Sequence, residues 1–136
     1  MRLLLDTGPW VALHCRNDRA HNWAKAQFAR TAEPLLTCEA VVAETCFLLA
    51  RSGFDPGKAL ELIERGIVRV DFSLHDEIAA VRRLFGRYDN VPASLADACL
   101  VRMSELYEPC SVLTLDSDFR IYRRHGRKTI PVILPE

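Results

Sequence analysis

Arg2-Leu3-Leu4-Leu5-Asp6-Thr7-Gly8-Pro9 reads as a short apolar strand that stops on an acid and turns at once toward a helix. Thr7-Gly8 is turn chemistry, and Pro9 suits the first position of a short helix. In an open parallel sheet the C-terminal end of a strand is where ligands bind, which gives Asp6 a possible chemical role. An Asx-turn or helix N-cap explains the same residue without chemistry, so Asp6 alone decides only the local structure.

Working outward, apolar runs of strand length recur at Pro34 to Thr37, Ile67 to Phe72, Ser111 to Leu115 and Ile130 to Leu134. Between them lie stretches of helical period at His21 to Arg30, Cys38 to Arg51, Pro56 to Arg65, Leu74 to Tyr88 and Ser94 to Leu106, with a shorter one after Asp116. Strands alternating with helices predict an α/β fold, a parallel sheet covered by helices on both faces. The punctuation agrees. Thr37 is placed to cap the helix over 38–51, Gly53 follows its end, Asp55-Pro56 starts the next, and Ser73 with Glu77 opens the one after. With no repeat, low-complexity tract or linker, residues 1–136 are expected to form one domain.

The chain has 136 residues, 49% apolar and 26% charged, ordinary values for a globular protein and unlike a disordered one. Eighteen basic and eighteen acidic side chains cancel, so a nucleic-acid partner must be met by a local patch. Five scattered cysteines with no C-x-x-C pair read as small core residues in a reducing, cytoplasmic setting. The N-terminal apolar run is too short for a signal peptide, and no segment approaches the roughly 20 apolar residues of a membrane helix.

Three further acids stand inside apolar segments, where an unused charge is costly. Glu44 has Ala40, Val41, Phe47 and Leu48 at helical spacing, which places it on an apolar face directed to the core. Asp97 lies in Leu95-Ala96-Asp97-Ala98-Cys99-Leu100, with Ser94 three residues earlier; Ser94 and Asp97 also fit a capping box, with Asn90-Val91-Pro92 as a competing helix start. Asp116 closes Val112-Leu113-Thr114-Leu115, Asp118 follows, and either of the two faces the site or caps a helix. Thr7, Ser94 and Thr114 are placed to support the carboxylates.

Two of the four acids end strands, and in a parallel sheet those ends share one edge. Carboxylates 4 Å apart repel by about 4 kcal/mol per pair at an effective dielectric of 20, so a gathered cluster calls for a cation. Oxygen donors without Cys or His favour Mg²⁺ or Mn²⁺ over zinc.

Leu3-Leu4-Leu5-Asp6-Thr7-Gly8, Ala43-Glu44-Thr45, Ser94-Leu95-Ala96-Asp97-Ala98 and Leu113-Thr114-Leu115-Asp116-Ser117-Asp118-Phe119 together resemble the four motifs of the PIN-domain ribonucleases, especially the VapC-like toxins of bacterial toxin–antitoxin pairs. The resemblance runs nearly end to end and departs at Gly8, where the family commonly has a small polar residue. It implies a three-layer α/β/α sandwich with a mainly parallel sheet, a homodimer, and endonucleolytic cleavage of RNA that leaves 5′-phosphate and 3′-hydroxyl ends. It also implies a cognate antitoxin that obstructs the acidic pocket. Asp6, Glu44, Asp97 and Asp116, with Asp118 as a further ligand candidate, then hold one or two Mg²⁺ or Mn²⁺ ions that activate water and stabilise phosphate charge.

For RNA contact the densest basic group is Arg120, Arg123, Arg124, His125, Arg127 and Lys128, which a solvated helix end explains equally well. Arg82, Arg83 and Arg87 form a second, weaker group. His14, His21, His75 and His125 are isolated, which leaves no nucleophilic machine to compete. A haloacid-dehalogenase-like phosphatase needs a D-x-D pair, and Asp6-Thr7-Gly8 lacks it; a receiver-type domain needs paired early acids and a lysine near its end, and only weak fragments of either are present. The alternative from another class is a PIN-like module that binds RNA or protein without cleaving.

Overall fold

The computed structural model describes residues 1–85, 87 and 93–136. Five parallel strands form the central sheet: β1 (Arg2–Leu5), β2 (Leu35–Thr37), β3 (Val68–Val70), β4 (Cys110–Leu113) and β7 (Val132–Ile133), ordered β3-β2-β1-β4-β7. A separate antiparallel ribbon pairs β5 (Arg123–Arg124) with β6 (Lys128–Thr129). The helices are α1 (Thr7–His14), α2 (His21–Arg30), α3 (Glu39–Arg51), α4 (Pro56–Glu64), α5 (Leu74–Phe85) and α6 (Leu95–Leu106). The result is the expected α/β/α sandwich.

The strand order reverses at β1. The chain leaves β1 toward β2 and β3 on one side, then crosses to β4 on the other, so the C-terminal ends of β1 and β4 flank a topological switch point. The register pairs Leu5 with Leu113, and the Asp6 N–H donates to the Leu113 carbonyl at 3.0 Å. Asp6 and Thr114 therefore emerge side by side. Beneath them Leu4, Leu5, Val112 and Leu113 are fully buried, and Trp10, Met103, Phe119 and Tyr122 fill the space between sheet and helices. Apolar burial of this kind contributes about 25 cal/mol per Å² and fixes the platform on which the acids stand.

Three local expectations need correction. Thr37 does not cap α3: Cys38 takes the N-cap position, and the Thr37 hydroxyl donates instead to the Leu5 carbonyl at 2.8 Å, tying β2 to β1 one residue before Asp6. The stretch after Asp116 forms only one 3₁₀ turn, Ser117–Arg120, before the β5–β6 ribbon, which short-range helical period could not anticipate. The face of α3 that carries Glu44 points outward. Val41, Thr45 and Leu49 are buried, whereas Glu44 is exposed and Phe47 is 63% exposed, because α3 rotates its Val41–Thr45–Leu49 stripe onto the core. The expected extension of α5 to Tyr88, and the competing helix start at Asn90-Val91-Pro92, lie outside the described residues.

A candidate acidic active site at the switch point

Asp6 is the N-cap of α1, with its Oδ1 accepting from the Thr7 N–H at 2.8 Å. Its other oxygen, Oδ2, accepts from the Thr114 hydroxyl at 2.6 Å, and the side chain is only 6% exposed. The ordinary capping role and a site role coincide in one residue. Burial pushes the Asp6 carboxyl up to about 6; the bonds from Thr114 and Thr7 oppose that rise, while the charges of Asp97 and Asp116 add to it.

Asp97 also does both jobs. Ser94 and Asp97 form a full capping box: the Ser94 hydroxyl accepts from the Asp97 N–H at 3.1 Å, and the Ser94 N–H donates to Asp97 Oδ2 at 3.2 Å. The Tyr122 hydroxyl, on a fully buried side chain, donates to the same oxygen at 3.2 Å. Burial raises the Asp97 carboxyl above its usual range, and the Asp116 charge contributes in the same direction.

Asp116 caps the 3₁₀ turn, its Oδ1 accepting from the Asp118 N–H at 2.9 Å, and its own N–H donates to Thr114 Oγ1 at 2.9 Å. Glu44 stands at the rim, where the Thr7 hydroxyl donates to its Oε2 at 3.4 Å.

Asp6, Glu44, Asp97 and Asp116 line one crevice of about 520 Å³, together with Thr7 and Ser94. Asp118 is not in its wall. A fifth acid is: Asp18, from the loop between α1 and α2, held by the Ala20 N–H at 2.8 Å. Nothing in Arg16-Asn17-Asp18-Arg19 distinguishes it from a solvated turn, and only the return of that loop over the sheet edge brings it in. Among the described residues no lysine, arginine or histidine lines the crevice. Gly8 lets the wall close: a Cβ there would meet Leu115 Cβ at 3.0 Å, so the departure at that position has a packing cause.

The acids ring the crevice rather than meet at a point. Among the described residues no three acidic, histidine or cysteine side chains converge closely enough, as placed, to close around one ion. A slightly larger groove of about 550 Å³, near Phe28, Pro34 and Leu62, is largely apolar and carries Glu33 alone as a charged group, so the chemistry concentrates at the switch point.

The basic group after Asp116 does not act as one patch. Arg124 is 5% exposed, paired with Glu108 and donating to the Ser104 carbonyl, so it is not available to RNA. Its place in the β5–β6 ribbon turns it inward toward α6. Arg123 is half-buried and donates to the carbonyls of Arg120, Ile121 and Tyr122. Arg120, Arg127 and Lys128 are exposed.

A family model for the PIN domain matches residues 3–124. The chain belongs to the PIN-domain family. This PIN domain also matches the crystal structure of VapC20 from Mycobacterium tuberculosis, described as a sarcin–ricin loop cleaving toxin, with a TM-score of 0.77 and 24% identity over 85% of this chain and 91% of that one. At that identity the likeness is one of fold. No curated protein matches the PIN domain by sequence. Among the described residues no helix is long and apolar enough to cross a membrane.

Proposed function

We propose that this PIN domain is a Mg²⁺- or Mn²⁺-dependent endoribonuclease, the toxin of a toxin–antitoxin pair, acting in the cytoplasm as a homodimer. The observation that carries the reading is Asp6, buried beside Asp97 and Asp116 in a crevice whose described wall holds five acids and no base. Such a site favours a cation over any neutral ligand.

The donor set suits a hard, hydrated cation. Mg²⁺ keeps several waters and uses one or two carboxylates directly, which matches acids spread around a crevice rather than converged. Asp6, Asp97 and Asp116 would hold it, with Glu44 reaching in from the rim. When bound, the cation lowers the pKa of water and neutralises charge developing on the scissile phosphate. The protein's own part is positioning. Thr114 and the Thr7 N–H fix both oxygens of Asp6, and Ser94 with Tyr122 fixes Asp97, which holds both carboxylates in the wall of the crevice. Within the basic group after Asp116, Arg120, Arg127 and Lys128 are the exposed cations that would meet RNA phosphates.

VapC20 suggests the first substrate to try, a sarcin–ricin loop RNA, and the resemblance to VapC-like toxins implies an antitoxin as the partner that blocks the crevice. The test is the chemistry of the ends. Cleavage of an RNA pool by the purified protein with Mn²⁺ should leave 5′-phosphates and 3′-hydroxyls, because water attacks the phosphorus in line with a departing 3′ oxygen. Ends carrying 2′,3′-cyclic phosphate would assign the cut to a metal-free ribonuclease and remove the proposal.

A further inference from the structure

The sequence carries two separate basic groups, Arg82-Arg83 with Arg87 and the run from Arg120 to Lys128, and the fold brings one to the other. Arg83 in the last turn of α5, Arg102 on α6 and His125 at the tip of the β5–β6 ribbon border one crevice of about 350 Å³. Arg87 stands in the same wall.

The ribbon tip allows this approach. His125 and Gly126 both have positive φ, 51° and 83°, and the Arg127 N–H donates to the Arg124 carbonyl at 3.3 Å, which closes a tight turn. A Cβ on Gly126 would lie 3.5 Å from a guanidinium nitrogen of Arg87, so that guanidinium rests against the bare backbone of the turn.

Among the described residues Glu105 is the one acid in the wall, and its charge is already used. Its Oε1 accepts from Arg102 Nη1 at 3.1 Å and its Oε2 from the His125 N–H at 2.7 Å, while Arg102 Nε donates to Glu77 at 2.7 Å. These bonds join α5, α6 and the ribbon into one frame, beside which Arg83 and Arg87 add exposed positive charge. Cations in the last turn of a helix complement its dipole, which accounts for Arg82 and Arg83 on α5. It does not account for Arg87 and His125 reaching the same crevice.

We propose that this basic crevice binds a backbone phosphate of the RNA and grips the strand at a point away from the acidic site. α6 links the two places. Asp97 in its first turn lines the acidic crevice, and Arg102 lines the basic one, about 7.5 Å farther along the axis and on another side of a helix roughly 10 Å across. A strand entering the acidic crevice therefore reaches the basic one within a few nucleotides. Acid-lined walls repel a phosphate chain, so affinity has to come from a basic surface elsewhere on a chain whose charges cancel overall. The proposal rests on the RNA substrate of the nuclease reading and not on its cleavage chemistry.

The experiment measures the fluorescence anisotropy of a labelled sarcin–ricin loop RNA in chelator, titrated with the full-length protein between about 50 and 200 mM salt. Phosphate contacts carry no sequence information, so the readout does not require this RNA to be the natural target. Arg83→Gln/Arg87→Gln should bind about tenfold more weakly at low salt and flatten the salt dependence by about one phosphate contact, and Arg83→Lys/Arg87→Lys should restore the slope. Arg82→Gln removes the same charge from the same helix outside the crevice wall and should leave the slope near that of the wild type. If the double variant melts early, Arg83→Gln alone carries the comparison. Wild-type affinity and slope in the arginine variants, an equal loss in Arg82→Gln, or a wild type that binds no RNA overturns the site. So does a double variant that keeps RNA but loses a polyglutamate peptide, which would make the crevice a protein-docking surface. A wild type that binds RNA through these arginines yet cleaves nothing when Mn²⁺ is added counts against the nuclease reading and leaves the phosphate site standing.

Discussion

Thr114 holds Asp6 in place: its hydroxyl donates to Asp6 Oδ2 at 2.6 Å while its oxygen accepts from the Asp116 N–H at 2.9 Å. One side chain thereby sets two of the acids at once. Thr114→Val keeps the shape and removes both bonds, leaving a buried carboxylate oxygen unpaired. A lost partner of this kind costs about 1–3 kcal/mol. Supporting groups of metal ligands are worth 10–100-fold in affinity, so calorimetric titration should give Mn²⁺ binding weakened by about tenfold or more. Unchanged affinity would take Thr114 out of the site.

The raised Asp6 carboxyl predicts an unusual pH dependence. A carboxyl lifted from 3.8 to about 6 is protonated in the fold where the unfolded chain has already lost its proton. The folded state then binds more protons, so this group's contribution makes the metal-free protein less stable as pH rises from about 4 to above 6, by on the order of 2–3 kcal/mol. Asp97 acts in the same direction. In metal-free buffer the wild type should lose melting temperature relative to Asp6→Asn across that window, whereas Mn²⁺ affinity should rise across it because the cation needs the charged form. A wild type that tracks Asp6→Asn throughout would show that Asp6 titrates normally.

Gly8→Ala sets helix propensity against packing. Alanine in a helix is worth about 0.5–1 kcal/mol over glycine, but its Cβ would lie 3.0 Å from Leu115 Cβ, next to Asp116. Overpacking costs about 1–3 kcal/mol, so the clash should win. We expect a lower melting temperature together with slower cleavage; a variant more stable than wild type would mean that Leu115 yields freely.

Arg124 and its exposed neighbours should separate cleanly. Arg124→Ala removes a buried donor from Glu108 and the Ser104 carbonyl and should lower stability by about 1–3 kcal/mol. Arg120→Ala, Arg127→Ala and Lys128→Ala should leave the melting temperature alone and each flatten the salt dependence of RNA binding by about one phosphate contact. A salt slope unchanged by all three substitutions would put the RNA path elsewhere on the surface.

What could be read from residues alone followed from cost. Leu3-Leu4-Leu5 and Val112-Leu113 must be buried, so the strands were legible, and acids placed at their ends drew notice because buried charge is expensive. Glu44 drew notice for the wrong reason. Its apolar neighbours Phe47 and Leu48 belong to an outward face of α3, and Glu44 reaches the crevice from the rim. Asp18 and Tyr122 had no local signature, since one is a turn residue brought in by a returning loop and the other a buried aromatic whose hydroxyl happens to reach Asp97. Arg124 resembled its basic neighbours because pairing with Glu108 is a tertiary fact that no run of charges reveals.

The most direct measurement of the central claim is single-turnover cleavage of a sarcin–ricin loop RNA by wild type and Asp6→Asn, each with Mn²⁺ and with chelator. We predict cleavage by the wild type with Mn²⁺, and none above background in the other three reactions. Equal cleavage by Asp6→Asn, or cleavage that persists in chelator, would contradict a cation-dependent nuclease centred on Asp6.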